Sequence, residues 1–310
     1  MKPVVRQLSL HSFFAILSVS WEAEGNSQKN IMIFIFLILG LIIGSFLGAA
    51  NYRLKTAEDI VFKRSHCPIC KHEIRWYDNI PLLSFVVLFG RCRDCRKYIS
   101  REYPLIELMT GVLFAGVALK FFGAPFLGVS GVVSGSVGTA TVIDMSFFLF
   151  ACCYLVLIFW HDYDYMLISD AVVFPAIVVT FFYQVYKYVQ SPFSIADFHS
   201  PLTSALIAAL GAALFFFFLI WVSKGKWIGG GDVKLGFLAG LIVGWPKILF
   251  VFFLTYLIGS VVSLGLIALK RKTWKSQIPF GPFMVAAILI VLFFSDQIQF
   301  WANRYLDIGF

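Results

Sequence analysis

Apolar runs long enough to cross a lipid bilayer recur along this chain, near residues 32–51, 103–122, 145–160, 171–189, 202–223, 234–244, 247–269 and 277–295. About 20 apolar residues in a helix cover the hydrocarbon core. No water there takes up backbone N–H and C=O groups, so only helices or closed barrels can cross it. Runs of this length are helical. With 60% hydrophobic residues, 14% charged and 35 Phe, the composition lies far outside that of soluble globular proteins. The expectation is an all-α, polytopic membrane protein of about eight transmembrane helices. The run at 234–244 is short and fits a half-span that lines a cavity.

Lys and Arg set the orientation. Segment 53–101 alone holds 11 of the 25 basic residues, which puts it in the cytoplasm, with residue 75 inside and residue 195 outside. Loops 161–170, 224–233 and 270–276 then share the cytoplasmic side. The net charge of +8 is mostly an orientation signal and calls for no nucleic acid. Residues 1–31 read as an N-terminal extension ahead of the first helix at 32–52, and Met32 is a candidate start of translation. Residues 129–142 read as an irregular external loop, and 296–310 as a C-terminal tail.

Segment 53–102 carries "CPIC", then 21 residues, then "CRDC". Two Cys-x-x-Cys knuckles match a tetrahedral zinc site of Cys67, Cys70, Cys92 and Cys95. Disulfides conflict with a reducing cytoplasm, and an iron–sulfur cluster also accepts four cysteines. Four thiolates close the zinc shell, so the site is structural and His66 and His72 read as surface residues. Cys152 and Cys153 fall inside an apolar run and read as small buried hydrophobes.

The chemistry has to lie elsewhere, and ionisable groups at membrane edges are the first candidates. "FWHDYDYMLISD" carries Asp162, Asp164 and Asp170, and "WIGGGDVKLG" carries Asp232. The topology above places both clusters at the cytoplasmic face. Two carboxylates in contact do not readily both ionise, so one holds a proton while the other activates water. That is aspartic-protease chemistry. Gly229, Gly230 and Gly231 lack Cβ and would let a substrate backbone approach the acid. Taken singly, each aspartate of the first cluster also reads as a helix cap or a solvated loop acid. Asp170, just before "AVVFPAIVV", fits an N-cap best. Asp162 and Asp164, at i and i+2, do not share a helix face, so at most one points at Asp232. Lys234 reads as facing headgroups or solvent. Glu107 reads as structural, paired with a base such as Arg101.

These motifs stand together in a known order. The chain resembles the type IV prepilin peptidases, aspartic proteases of the Gly-x-Gly-Asp type that act as leader peptidase and N-methyltransferase in pilus and type II secretion systems. The resemblance runs from about residue 40 to 290, through "GSFLGAANYRL", the cysteine knuckles, "DNIPLLS", "GRCRDCRKYISREYPLIELMTG", the acid cluster, "GGGDVKL" and "IPFGPF". It implies catalytic aspartates at Asp162, which opens the family's stretch of Asp, six residues and Pro-Asp, and at Asp232. Ser169 departs from that pattern, standing where the family usually has proline. Also implied are a methyltransferase-associated loop at 53–102, a second helix with its external loop at 103–143, and a protease core at 144–295. The implied substrates are prepilin and pseudopilin precursors, cut at the cytoplasmic face of a bacterial inner membrane. S-adenosylmethionine would then methylate the new N-terminal residue, commonly Phe. No motif marks its pocket, and Glu107 is a candidate for it.

Three other readings compete. An ion-coupled transporter also carries membrane acids and interrupted helices, but near the midplane and often in repeated halves; no internal repeat is seen here. A protease related to signal-peptide peptidase shares the Gly-x-Gly-Asp element but not the cysteine loop. A structural assembly protein would leave the acids dispensable.

Overall fold

The computed structural model describes residues 10–56, 59, 64–122, 139–194, 197, 200–226, 228–273 and 276–305, with side chains from residue 29 onward except 301–303 and 305. The described residues form ten α-helices and, in the cysteine segment, one short 3-10 helix (Trp76–Asn79). The α-helices are α1 (Leu10–Thr56), α2 (Leu83–Val87), α3 (Glu102–Phe122), α4 (Thr139–Tyr165), α5 (Asp170–Gln190), α6 (Pro201–Ser223), α7 (Gly230–Val243), α8 (Ile248–Ala268), α9 (Gly281–Phe293) and α10 (Ser295–Tyr305). Extended pairing among the described residues is limited to two isolated bridges, His66–Glu73 and Arg91–Tyr98. The expected all-α class holds.

Among the described residues six helices are long and apolar enough to cross a bilayer: the Lys29–Thr56 part of α1, then α3, α4, α5, α6 and α8. The runs at 234–244 and 277–295 form α7 and α9, of 14 and 13 residues. At 1.5 Å per residue each is about 20 Å long, short of a hydrocarbon core of about 30 Å. Among the described residues the eight apolar runs therefore become six helices of spanning length and two shorter ones. The helix read at 32–52 starts upstream, at Leu10. Residues 1–9 of the N-terminal extension, 129–138 of the external loop and residue 195 lie outside the described residues, and 139–142, read as irregular loop, are the first turn of α4.

Lipid tails are as apolar as Leu, so helices associate by close packing at small residues rather than by burying an apolar stripe. Gly40 and Gly44 of α1 supply this against α3. A Cβ on Gly40 would stand 2.7 Å from the Thr110 carbonyl oxygen, and one on Gly44 2.7 Å from Glu107 Cα. Between α6 and α7, a Cβ on Gly240 would overlap the Ala208–Ala209 backbone. The central core joins Cys152, Leu155 and Ile158 of α4 to Phe114 of α3 and Met284 and Ile288 of α9. Cys152 is fully buried there, as a small hydrophobe should be.

Two clamps fix the height of the short helices. Ser204, in the first turn of α6, exchanges hydrogen bonds with Trp245 just past α7: Oγ donates to the Trp245 carbonyl at 2.8 Å and accepts its N–H at 2.9 Å. Buried Lys120 of α3 donates to the Phe293 carbonyl at the end of α9 (3.1 Å) and pairs with Asp296 (3.4 Å). α6 has 23 residues to the 14 of α7. With their far ends level, the first turn of α7 stands about 13 Å below the end of α6. Asp232 sits in that recessed turn.

Candidate active site and metal centre

The metal lobe is built from two copies of one turn. Cys67 N–H donates to the His72 carbonyl and Lys71 N–H to that of Cys67, both at 2.9 Å. Cys92 and Arg96 repeat the pattern at 2.8 and 3.0 Å. Lys71 and Arg96, each just after the second cysteine of its pair, take φ of 59° and 60°. These turns aim all four Sγ atoms inward, within 4.8 Å of one another, and Cys67 and Cys95 are 3.9 Å apart. A zinc tetrahedron with bonds of about 2.3 Å has edges of about 3.8 Å. The set fits one zinc ion. Burial pushes the Cys67 thiol up, but backbone and neighbouring thiol hydrogen bonds together bring it down to about 7, while Cys70 and Cys92 are raised; a bound metal would supply the charge that favours all four thiolates. We expect about one zinc per chain by elemental analysis, lost in Cys67→Ser/Cys95→Ser together with thermal stability of the lobe. Folded protein without zinc, or with an iron–sulfur absorption band, would refute this assignment.

Two contacts fasten the lobe. Arg93, within the second knuckle, grips Asp78 through Nη2 and Nε of its guanidinium, at 2.6 and 2.8 Å, and this pairing holds the Asp78 carboxyl below the usual carboxylate range. Leu82 N–H donates to Glu107 of α3 at 2.8 Å. Glu107, expected beside Arg101, instead ties the "DNIPLLS" loop to the bundle.

The protease candidates meet at the recessed turns. Asp162 is in the last turn of α4 and 5% exposed. Its Oδ2 accepts the Gly281 N–H at 2.9 Å, so the carboxylate caps the positive end of α9. Asp232 is the third residue of α7, and its Oδ2 accepts the Gly229 N–H at 3.2 Å. α9, whose first residue holds Asp162, packs against α7, the helix that carries Asp232, and against α8. The Tyr256 ring lies 5.8 Å from that of Phe280, which precedes α9. Four helices, α4, α7, α8 and α9, thus converge on the pair.

The neighbouring acids face elsewhere. Asp164 accepts from Asn51 Nδ2 at 2.8 Å, and Asn51 Oδ1 meets His161 Nδ1 at 3.0 Å, so this acid turns toward α1. Asp170 is not an N-cap: Ser169 holds that position, and Asp170 is the first residue of α5. It pairs with Lys234 of α7, so Lys234 points at a protein carboxylate rather than at headgroups, holding α5 and α7 together beside the site. Ser169 has φ −71°, the value a proline ring would impose, so the departure from the family pattern leaves the local backbone unchanged. The three glycines divide. A Cβ on Gly231 would come within 3.0 Å of Ile168 Cβ, which makes that glycine a packing requirement. Gly230 meets nothing within 4 Å and Gly229 only Asp232, at 3.9 Å. Sequence reasoning passed over Gly281, Asn51 and Tyr256. The signal for Gly281 was the Gly-Pro of "IPFGPF", suited to a helix start.

Comparison with known proteins adds an independent line. Residues 38–121 match the family model described as bacterial Peptidase A24 N-terminal domain. Residues 149–264 match that of the type IV leader peptidase family. The four cysteines lie in the first match and both aspartates in the second. The chain is 30% identical over 299 residues to a prepilin leader peptidase/N-methyltransferase of Aeromonas salmonicida (strain A449), covering 87% of this chain and 92% of that protein. A protein of the same description from Bacillus subtilis (strain 168) is 30% identical over 270 residues, covering 86% and 96%. One from Pseudomonas aeruginosa is 27% identical over 293 residues, covering 84% and 90%. No solved structure matches the chain.

Proposed function

Because the chain belongs to the prepilin leader peptidase/N-methyltransferase family, we propose that it cuts the leader from type IV prepilins and pseudopilins with Asp162 and Asp232. It then methylates the new N-terminus from S-adenosylmethionine. The observation that carries the protease reading is the placement of two carboxylates on neighbouring elements, Asp162 against the first residue of α9 and Asp232 in the first turn of α7, which packs on α9, at the end of the bundle that bears the basic loop. One carboxylate takes a proton from water as the water attacks the scissile carbonyl. The other protonates the carbonyl oxygen, and the roles exchange as the amine leaves. Positive-inside counting supports a cytoplasmic opening of the recess in the inner membrane. A basic leader would stay at that opening while the apolar helix of the precursor lies along the bundle in the bilayer. Gly229 and Gly230 have open space in front of them for an extended substrate backbone.

Division of labour follows the chain: residues 144–295 as the protease core and 53–102 as a zinc-braced loop serving methylation. The zinc is structural, since Cys67, Cys70, Cys92 and Cys95 leave no open coordination position. Purified protein incubated with a prepilin in detergent should yield a peptide lacking its leader by mass spectrometry. With S-adenosylmethionine present, the product should gain one methyl group. Intact precursor after prolonged incubation with folded protein would overturn the proposal.

A further inference from the structure

Apolar side chains crowd the outer face of α2, the five-residue helix that lies between the two cysteine knuckles. Leu83, Val86 and Val87 stand at i, i+3 and i+4, on one helix face, and all three are exposed. Phe89, just past the helix, is 87% exposed. Ser84, Phe85 and Leu88 occupy the opposite face and are half-buried. Ser84 Oγ donates to the Tyr77 carbonyl at 3.0 Å, and a Cβ on Gly90 would stand 3.1 Å from the Phe85 ring. The lobe holds the inner face of α2 and leaves the outer one bare. The height of α2 identifies what covers that outer face. α3 has 21 residues, about 32 Å of helix, enough for a hydrocarbon core of about 30 Å. Glu107, its sixth residue, accepts the Leu82 N–H at 2.8 Å. Glu107 lies about 8 Å from the start of α3, and its side chain reaches back by about one turn at most. α2 therefore begins level with the first two turns of α3. Leu105 and Leu108, in those turns, are exposed apolar residues, so α3 already faces lipid there. The backbone around α2 suits the same medium. N–H groups of residues 82–84, 86 and 88–90 all donate to oxygens of the chain, as surroundings without water require.

We propose that α2 and Phe89 anchor the metal lobe in the membrane, with Leu83, Val86, Val87 and Phe89 in the acyl edge of the cytoplasmic leaflet beside α3. The lobe then lies on the bilayer instead of standing free in the cytoplasm. This needs only that α3 spans and that the basic loop faces inward, and it is independent of the protease and methyltransferase readings. Charge supports the same occupant. Residues 64–101 hold eight basic side chains against three acidic ones, an excess that the anionic cytoplasmic leaflet attracts. Arg91, Arg96, Lys97 and Arg101 follow Phe89 closely and are exposed. Long basic side chains lay their stems on apolar surface and keep their heads among phosphates and water. Trp76 of the 3-10 helix is also exposed, and its ring suits the headgroup level. So short a helix would not hold its shape alone in water. Here α1 and α3 already keep it at the surface, which makes insertion an intramolecular step. The Leu82–Glu107 hydrogen bond sets the depth.

The test is photochemical, on the full chain in nanodiscs of phosphatidylethanolamine and phosphatidylglycerol. The photoreactive residue p-benzoylphenylalanine is placed at position 89 in one protein and at position 108, on the lipid-facing side of α3, in another. Irradiation joins it to whatever C–H group lies beside it, and mass spectrometry identifies the adduct. Position 89 should yield phospholipid adducts within about threefold of the yield at 108, since both side chains lie at acyl level. Adding Val86→Asp and Val87→Asp should lower the lipid yield at 89 by at least about tenfold, because carboxylates resist the acyl region. The yield at 108 should not change. Thermal unfolding is the folding control, and Val87→Asp alone covers the case in which the double variant misfolds. No lipid adduct at 89, with a normal one at 108, would show that the face meets water and overturn the proposal. So would adducts at 89 to a second copy of the chain, or to an added prepilin, in place of lipid. A lipid yield at 89 that the aspartates leave unchanged in folded protein would equally overturn it.

Discussion

Asp162→Asn and Asp232→Asn are each expected to leave a folded protein that cleaves prepilin at least about 10³-fold more slowly than the parent. The reason is the division of one proton between two carboxylates. An amide at either position can neither take a proton from water nor return one to the carbonyl, so half a pair does little of the work. For the same reason the double variant should be no slower than either single one, as for residues that act as a unit. Asp164→Asn and Asp170→Asn provide the contrast. Asp164 is held by Asn51 on the α1 side, and Asp170 by Lys234 at the start of α5. Each variant keeps an acceptor oxygen and loses only the charge on its contact, worth about 1 kcal/mol or less, and cleavage should stay within about tenfold of the parent. The measurement is the initial rate of leader release for each purified variant, with helix content by circular dichroism as the control for folding. Parental rates in Asp232→Asn, or loss in Asp164→Asn with retention in Asp162→Asn, would assign the chemistry to other groups.

What the sequence made legible follows the physics that each feature answers to. Long apolar runs become helices because lipid offers the backbone nothing else, and α3, α5, α6 and α8 lie within two residues of the runs read for them. The cysteine knuckles could be read because their ligands are local, each turn closing over six residues. Span lengths near α7 and α9 were less legible, since hydropathy counts apolar residues and does not register where a helix starts. Residues 277–280 are largely apolar yet precede α9. The facing of the acids was legible only as far as helical period allows. Period separates Asp162 from Asp164. It does not say which of them meets α9, since that depends on Gly281, 119 residues away, and on Asn51, 113 residues from Asp164. The ion pair of Asp170 with Lys234 was hidden for the same reason, each residue reading alone as solvated.

Gly281→Ala is expected to reduce leader cleavage by about 100-fold while the bundle stays folded, although Gly281 bears no side chain and takes part in no proton transfer. A Cβ built there would stand 2.6 Å from Asp162 Oδ2 and 2.9 Å from its Cγ, well inside contact distance. One of the two must move. The first turn of α9 has little freedom, because Gly281, Pro282, Met284 and Val285 are all buried and the far end of the helix is clamped by Lys120. The carboxylate is the softer partner. Turning it away breaks the 2.9 Å hydrogen bond from the Gly281 N–H, a charge-assisted contact worth about 1.5–3 kcal/mol. It also moves the acid off the helix axis that holds it toward Asp232. A displacement of about 1 Å in a reacting group is enough for a hundredfold loss. The proline that follows cannot compensate, because it has no N–H to offer in place of the lost donor. The readout is the rate of leader release beside thermal unfolding, with Gly230→Ala as comparison: a Cβ there meets nothing within 4 Å, so in the free enzyme only an incoming substrate backbone would feel it. Gly230→Ala should then raise KM more than it lowers kcat, whereas Gly281→Ala should act on kcat. Parental kcat in a folded Gly281→Ala protein would mean that the end of α9 does not position Asp162.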